Sequence, residues 1–470
     1  MDHDEFRRYA HQMADWMADY LEHVGDYPVR AQVSPGEVDA QLPHSAPAEG
    51  EDMAAILADF ERIVLPGVTH WQHPDFLAYF PANSSPPSVL GEMAAAALAA
   101  NGMLWETAPA ATELEIRVLD WLRDAIGLPE GFAGSIQTTA SEATLNCLIA
   151  AREQATGLTS NATGLSGQPV MTAYCSAEAH SSVEKAMGLA GLGRQNLRAI
   201  ETDDTYAMRP EALDAAIADD LSEGRKPIFV TATLGTTGVG GIDPLPAIAE
   251  ICRKREIWLH VDAAWAGSAL ILPEQQWMIE GIEAADSFVF NPHKWLLTNF
   301  DCSALYVRDP ARYVPAFEIL PEYLKSSAGA DVVNFRDWGI PLGRRFRALK
   351  LWFVLRAYGL DGLRDHLRRQ IGWTQELAEA VAATPDFEVV TPAVLGLFTF
   401  RYRPEGTDGA ELDVLNLHLV DALNKGGKVY VTQTKARGRT VIRVAPGAPG
   451  LTRDSLFAAW DAIKEIAAAL

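Results

Sequence analysis

The stretch SFVFNPHKWLL, residues 287–297, decides how this chain is read. Its first four residues suit a strand covered on both faces, Asn291-Pro292 breaks that strand, and Lys294 then stands as a lone cation among apolar neighbours. Burying an ammonium costs several kcal/mol unless it is paired or loses its proton. A lysine held without its proton is a nucleophile toward aldehydes. Upstream, LHVDAAWAG (259–267) puts His260 and Asp262 on one face of a preceding strand, with Asp262 at its end among small residues. A carboxylate in such company needs a cationic partner.

Working outward, residues 86–350 alternate helical stretches with short β-rich runs: SIQTT, PVMTAYC, LRAIET, PIFVTATL, IWLHVDA, DSFVFN and SALYVRD. Their continuous apolar character predicts a mostly parallel sheet with helices on both faces. In such a sheet, ligands collect at the carboxyl ends of the strands. Residues 351–470 continue a long helical region into strand, strand, helix, strand, strand, helix, a small α+β domain. Residues 1–85 open with an acidic amphipathic helix (Phe6, Met13, Met17, Tyr20, Leu21), followed by a Pro- and Ala-rich strap over 30–52. Such a helix buries its face only against another domain or subunit.

Composition sets the outer limits. A chain of 470 residues holds one large domain and one or two smaller ones. A formal charge of −23 argues against nucleic acid or an anionic membrane as partner. Cys147, Cys175, Cys252 and Cys302 lie far apart without a CxxC pair, and read as reduced core thiols. No run reaches the ~18 apolar residues of a membrane span, so the expectation is a cytoplasmic protein.

Two further strand ends carry unusual residues. GSIQTTASEATLNCLIAAR runs from a strand into a helix whose start, Thr139, Ala140 and Ser141, offers backbone N–H groups, a hydroxyl and the helix dipole to a phosphate. In CSAEAHSSVEKAM, His180 falls between a strand and a helix with a capping-box pattern, Ser181 to Glu184. Ser and Thr cap helices everywhere and loop histidines are common, so each feature is weak alone. Together with Asp262 and Lys294 they supply what pyridoxal phosphate (PLP) needs: a phosphate cradle, a flat group on the ring face, a carboxylate for the pyridine nitrogen and a Schiff-base lysine.

The stretches PGVTHWQHPDFLAYFP, SPPSVLGEM, APAATELEIRVLDWL, TTASEATLNCLIAAR, EAHSSVEKA, ATLGTTGVGGID, HVDAAWAGSA, NPHKWLLTNFDCSALYVRD and IPLGRRFRALKLWFVLRAYG resemble the aromatic-L-amino-acid decarboxylase family, the group II PLP-dependent decarboxylases, over nearly the whole chain. The resemblance implies the type I, aspartate-aminotransferase-like fold with a mostly parallel seven-stranded sheet. It implies a homodimer joined through segment 1–85, a PLP domain over 86–350 and a small domain over 351–470. It implies Lys294 as the Schiff-base lysine, Asp262 as the pyridinium partner and His180 as the stacking residue. Thr139, Ala140, Ser141, Asn291 and His293 would lie on the phosphate side, with Thr237 and Ala264 also against the cofactor.

On the substrate side, Trp71, Tyr79 and Phe80 match aromatic pocket positions, which favours a flat side chain over a carboxylate-bearing one. Asn101 and Met103 depart from the more hydrophobic residues of animal relatives. Gly343 matches a glycine of indole-accepting relatives, which leans toward tryptophan-like substrates. One departure is larger. Phe335 stands where most decarboxylases carry a loop tyrosine that protonates the substrate Cα, which leaves no obvious general acid there. The same change marks the aromatic acetaldehyde synthases, which consume O2 and release an arylacetaldehyde, ammonia and peroxide after CO2 loss. Tyr313 and Tyr323 are nearby hydroxyls outside the matching motif. The amine therefore remains the alternative product.

Rival chemistries fit less of the chain. His260 and Asp262, with His180 and His293, have ligand-like spacing for a metal-dependent hydrolase, which leaves Lys294 and the cradle unexplained. Ser182 to Lys185 matches S-x-x-K without its companion motifs.

Overall fold

The computed structural model describes residues 1–319 and 332–470; Tyr323 lies outside the described residues. The chain divides into two compact units, Asn83–Ile371 and Met1–Ala82 with Gly372–Leu470. Residues 1–82, expected as a segment of their own, are thus grouped with the C-terminal residues.

The larger unit is built on seven strands: β1 (Ala133–Gln137), β2 (Met171–Ser176), β3 (Leu197–Ile200), β4 (Lys226–Thr233), β5 (Trp258–Asp262), β6 (Ser287–Phe290) and β7 (Ser303–Val307). Their order is β1-β7-β6-β5-β4-β2-β3, and β7 alone runs antiparallel to its neighbours. β2, β5, β6 and β7 are buried at every position, which is why their apolar runs are continuous rather than alternating. Helices Pro109–Ile126, Ala140–Ala155 and Leu245–Arg255 pack on this sheet. The mostly parallel α/β architecture expected from the sequence is therefore present.

The second unit carries β8 (Phe387–Val394), β9 (Leu397–Tyr402), β10 (Thr432–Ala436) and β11 (Arg439–Val444) in an antiparallel sheet of order β10-β11-β9-β8. Helices Gly409–Gly426 and Arg453–Ala468 complete it, around a core that includes Phe398, Phe400, Leu419 and Trp460. Helix His3–His23 begins with a capping box made by Asp2 and Glu5, yet none of its residues is buried. Its apolar face is only partly covered: Trp16 meets Phe60 edge-on at 5.0 Å and the Tyr20 hydroxyl lies 2.8 Å from His70 Nδ1, while Phe6 stays 62% exposed. The long helical region Arg347–Ala383 is broken at Gly359, whose φ of 63° leaves the helical range. Among the described residues no helix is long and apolar enough to cross a membrane.

Candidate active site

The segments that follow β1, β2, β4, β5 and β6 converge on one cavity of about 190 Å³ in the larger unit. β1 leads through Thr138 into helix Ala140–Ala155, capped by Thr139, whose hydroxyl accepts from Glu142 N at 3.2 Å. Glu142 returns its carboxylate to Thr138 N at 2.9 Å, which locks the turn. The first N–H groups of a helix have no intrahelical partner. Ala140 and Ser141, in this first turn, line the cavity, so its wall there attracts anions.

Asp262 ends β5 and lines the same cavity. It is 5% exposed, and its Oδ1 accepts from Ala264 N at 3.0 Å. β6 passes through Asn291 into the one-turn helix Pro292–Trp295, which carries His293 and Lys294. Asn291 N donates to Ala264 O at 2.9 Å and its side chain accepts from Ser303 Oγ at 2.6 Å, so the lysine turn is pinned to β5 and β7. Lys294 is half-buried and lines the cavity. His293 is 3% exposed and its Nδ1 accepts from Cys302 N at 2.9 Å; burial and the nearby Lys294 push its pKa down to about 3. It is therefore neutral, with the remaining ring proton on Nε2.

His180 follows β2 and closes another side of the lining. Burial lowers its pKa, with Asp262 opposing and Lys294 adding to the shift, which places all three groups within electrostatic reach. The capping box expected after it is not formed. Ser181 makes no side-chain cap bond; instead Ser182 N donates to His180 Nδ1 at 3.1 Å, so the imidazole takes over the capping role and is oriented by it.

All ten residues expected against the cofactor, Thr139, Ala140, Ser141, His180, Thr237, Asp262, Ala264, Asn291, His293 and Lys294, line this cavity. Ser182, Thr233, Gly235, Trp265 and Phe300 line it as well and were not foreseen. Thr233 had a signal, since it ends β4 beside Asp262 in the register. Gly235 needs a φ of 79°, and a Cβ there would come within 2.8 Å of Ala266 Cβ. Phe300, 58% exposed at the rim and edge-on to His293 at 4.7 Å, carries no pattern that would reveal it.

The substrate-side residues lie elsewhere. Asn101 and Gly343 line a second cavity of about 360 Å³, with Glu92 and Arg344. Asn101 Oδ1 accepts from Arg344 N at 2.9 Å, and Met103 O accepts from Arg336 N at 3.0 Å. Trp71, Tyr79 and Phe80 belong to the other unit, where Trp71 and Tyr79 stack at 5.8 Å and Arg443 lies over Phe80 at 4.3 Å. Phe335 does not line the 190 Å³ cavity. It is 2% exposed, edge-on to Trp338 at 5.8 Å, with the Arg344 guanidinium 4.5 Å above its ring. Tyr313 is fully buried and gives its hydroxyl to Trp338 O at 3.1 Å.

Among the described residues no group of three acidic, His or Cys side chains is placed to hold a metal ion. His260 has both ring nitrogens engaged, by Ser287 and Thr144. An anion-receiving wall, a buried carboxylate, an oriented imidazole and a lysine around one small cavity are instead the donor set that suits a phosphorylated pyridine aldehyde.

Comparison with known proteins agrees with that chemistry. The pyridoxal-dependent decarboxylase conserved domain matches residues 35–403. The chain belongs to the pyridoxal-dependent decarboxylase family. Along its whole length this decarboxylase is 44% identical to phenylacetaldehyde synthase of Arabidopsis thaliana, of which it covers 97%. It is 42% identical to tryptophan decarboxylase 2 of Oryza sativa subsp. japonica, with 99% of the chain and 95% of that protein covered. Its fold matches the crystal structure of Oryza sativa TDC with PLP and tryptamine at a TM-score of 0.96 and 36% identity, covering 100% of this chain and 99% of that one.

Proposed function

We propose that this decarboxylase removes CO2 from an aromatic L-amino acid and, with Phe335 in its loop, releases the arylacetaldehyde. One observation carries the reading: Lys294, Asp262, His180 and the start of helix Ala140–Ala155 face a single cavity. In this reading Lys294 holds the aldehyde carbon of PLP, and Thr139, Ala140, Ser141, Asn291 and His293 hold its phosphate. Asp262 keeps a proton at the ring nitrogen, His180 covers a ring face, and Thr237 and Ala264 complete the contact. Bound PLP supplies an electron sink for the pair released as the carboxylate departs. Trp71, Tyr79 and Phe80 favour a flat substrate side chain, and Asn101, Met103 and Gly343 are proposed as further specificity positions. The similarity to a phenylacetaldehyde synthase and to a tryptophan decarboxylase supports an aromatic substrate.

The chain's own groups govern the product. A hydroxyl at residue 335 would deliver a proton to the substrate Cα and so give the amine. Phe335 has none. Without that donor O2 would be the acceptor of the electron pair, and one amino acid, O2 and water would become arylacetaldehyde, CO2, ammonia and hydrogen peroxide. Release of the amine is the second reading, favoured by the place of His180 on the same cavity lining as Lys294, where its ring could carry a proton to the substrate. We further propose a homodimer, since no residue of helix His3–His23 is fully buried and its Phe6 is exposed, and a reducing, cytoplasmic setting, since all four cysteines are free and buried.

The test is incubation with L-tryptophan, L-phenylalanine and L-DOPA separately, in air and without oxygen, measuring CO2, amine, ammonia and peroxide. Peroxide and ammonia that match CO2 and require oxygen support the aldehyde reading. Amine that matches CO2 regardless of oxygen overturns it in favour of the second. Absence of CO2 from all three overturns the aromatic substrate class.

A further inference from the structure

We infer that His260 is a positioning residue for the cofactor cavity: protonated at Nε2 alone, it ties the first turn of helix Ala140–Ala155 to β5 and keeps the anion-receiving wall in register with Asp262. The inference rests on the reading of the cavity as the PLP site. His260 lies two residues before Asp262 on the same face of β5, is 0% exposed, and is not itself a lining residue.

The outer members of a buried hydrogen-bond chain set the direction of every proton in it. Trp258 Nε1 can only donate, and it gives to Ser287 Oγ at 2.9 Å. At the other end the Ala140 carbonyl can only accept, and it takes the Thr144 hydroxyl at 2.9 Å. Thr144 has no second hydrogen, so across the 3.2 Å contact it must accept from His260 Nε2. Nδ1 is then the acceptor, and Ser287 gives it its own hydrogen over 2.9 Å. The chain therefore runs one way, from Trp258 through Ser287, His260 and Thr144 to Ala140. Burial pushes the imidazole pKa down to about 4, so this neutral tautomer persists at neutral pH. Phe229 stacks on the ring at 5.7 Å and leaves it little freedom to turn.

The consequence is mechanical coupling across the cavity. Ala140 belongs to the phosphate side and Asp262 to the ring-nitrogen side, and His260 links the two by one strand step and two hydrogen bonds. A ligand that grips both sides gains from their fixed spacing; a ligand that grips only one does not.

The experiment compares PLP with pyridoxal, which lacks the phosphate, in binding to apoprotein, followed by the visible absorbance of the bound aldehyde. His260→Leu and Thr144→Val should each weaken PLP binding about tenfold, the scale of coupling within one network, with little change for pyridoxal. His260→Gln, whose amide N–H reaches toward the Nε2 position, and Thr144→Ser should recover PLP binding. The His260→Leu/Thr144→Val double variant should be no worse than either single one. PLP and pyridoxal weakening in equal proportion would mean general loosening of the site and would overturn the inference, as would unchanged PLP binding. If His260→Leu does not fold, the isosteric Thr144→Val decides alone. Wild-type protein that binds no PLP would sink the cofactor reading itself, a result distinct from any of these.

Discussion

Lys294 shows how much a single residue can disclose. A cation in an otherwise apolar strand and turn has few physical justifications, and its place on the cavity lining supports the proposed aldehyde chemistry. Replacing it by alanine, Lys294→Ala, is expected to abolish the visible absorbance of the holoenzyme and its CO2 release; full retained activity would refute the assignment. Phe335 is a different case. Its chemical meaning, a missing hydroxyl, is plain in the sequence, whereas its position beneath Arg344, outside the cavity lining, is a product of packing with Trp338. Phe335→Tyr should shift product from aldehyde toward amine, read as the ratio of peroxide to amine, and an unchanged ratio would show that this residue is not the switch. The same change puts a polar atom into a site only 2% exposed, so a loss of roughly 1–3 kcal/mol in denaturant titrations is expected unless the hydroxyl finds a partner.

At the scale of elements, the site is a consequence of where strands stop. β1, β2, β4, β5 and β6 each lead, at their carboxyl end or a few residues beyond it, to residues that line the cavity, because parallel strands direct their carboxyl ends to one side. The segment after β5 must then leave the sheet beside β6 at close range. Gly267 makes this approach possible: a Cβ at this position would sit 2.4 Å from Phe290 Cβ, a distance that real side chains do not tolerate. Gly267→Ala should therefore displace β6 and its lysine turn, costing about 1–3 kcal/mol of stability and weakening PLP binding. Wild-type unfolding midpoint and wild-type cofactor affinity together would contradict this. The strand ends were legible from continuous apolar runs, since burial on both faces removes the polar alternation that marks an exposed strand. The His180 cap was not, because a Ser-x-x-Glu pattern does not reveal that a neighbouring imidazole will take the helix N–H first.

For the whole molecule, buried titratable groups predict an acid limit. His260 and His366 are pushed down to about 4 and His293 to about 3, all by burial first. Below about 6.5 the unfolded chain binds protons at these sites that the folded chain refuses, so each subtracts about 1.4 kcal/mol of stability per pH unit as pH falls toward its folded value. Asp243 and Asp75, raised by burial to about 7 and about 6, act in the opposite sense, since the folded state holds their protons more tightly. With three groups against two, the urea midpoint should fall as pH is lowered from about 6 to about 4.5. A midpoint that rises over this interval would contradict these assignments. Removal of helix His3–His23, which touches its own chain through Trp16 on Phe60 and Tyr20 on His70, is expected to convert dimer to monomer in sedimentation. Dimers that persist would place the interface elsewhere.

The sequence by itself determined the fold class and singled out residues that line one cavity. Apolar continuity, breaker residues and a few chemically expensive side chains are local properties, and NPHK, HVDAA and TTAS carry them in short windows. Only the tertiary structure decided which distant residues share a wall. The proximity of Phe300 to His293, the burial of Phe335 under Arg344, and the relay from Trp258 to Ala140 all depend on strand register and helix packing. Side chains far apart in sequence meet there because neighbouring strands lie side by side in the sheet and a helix crosses them, and no short-range pattern encodes that crossing.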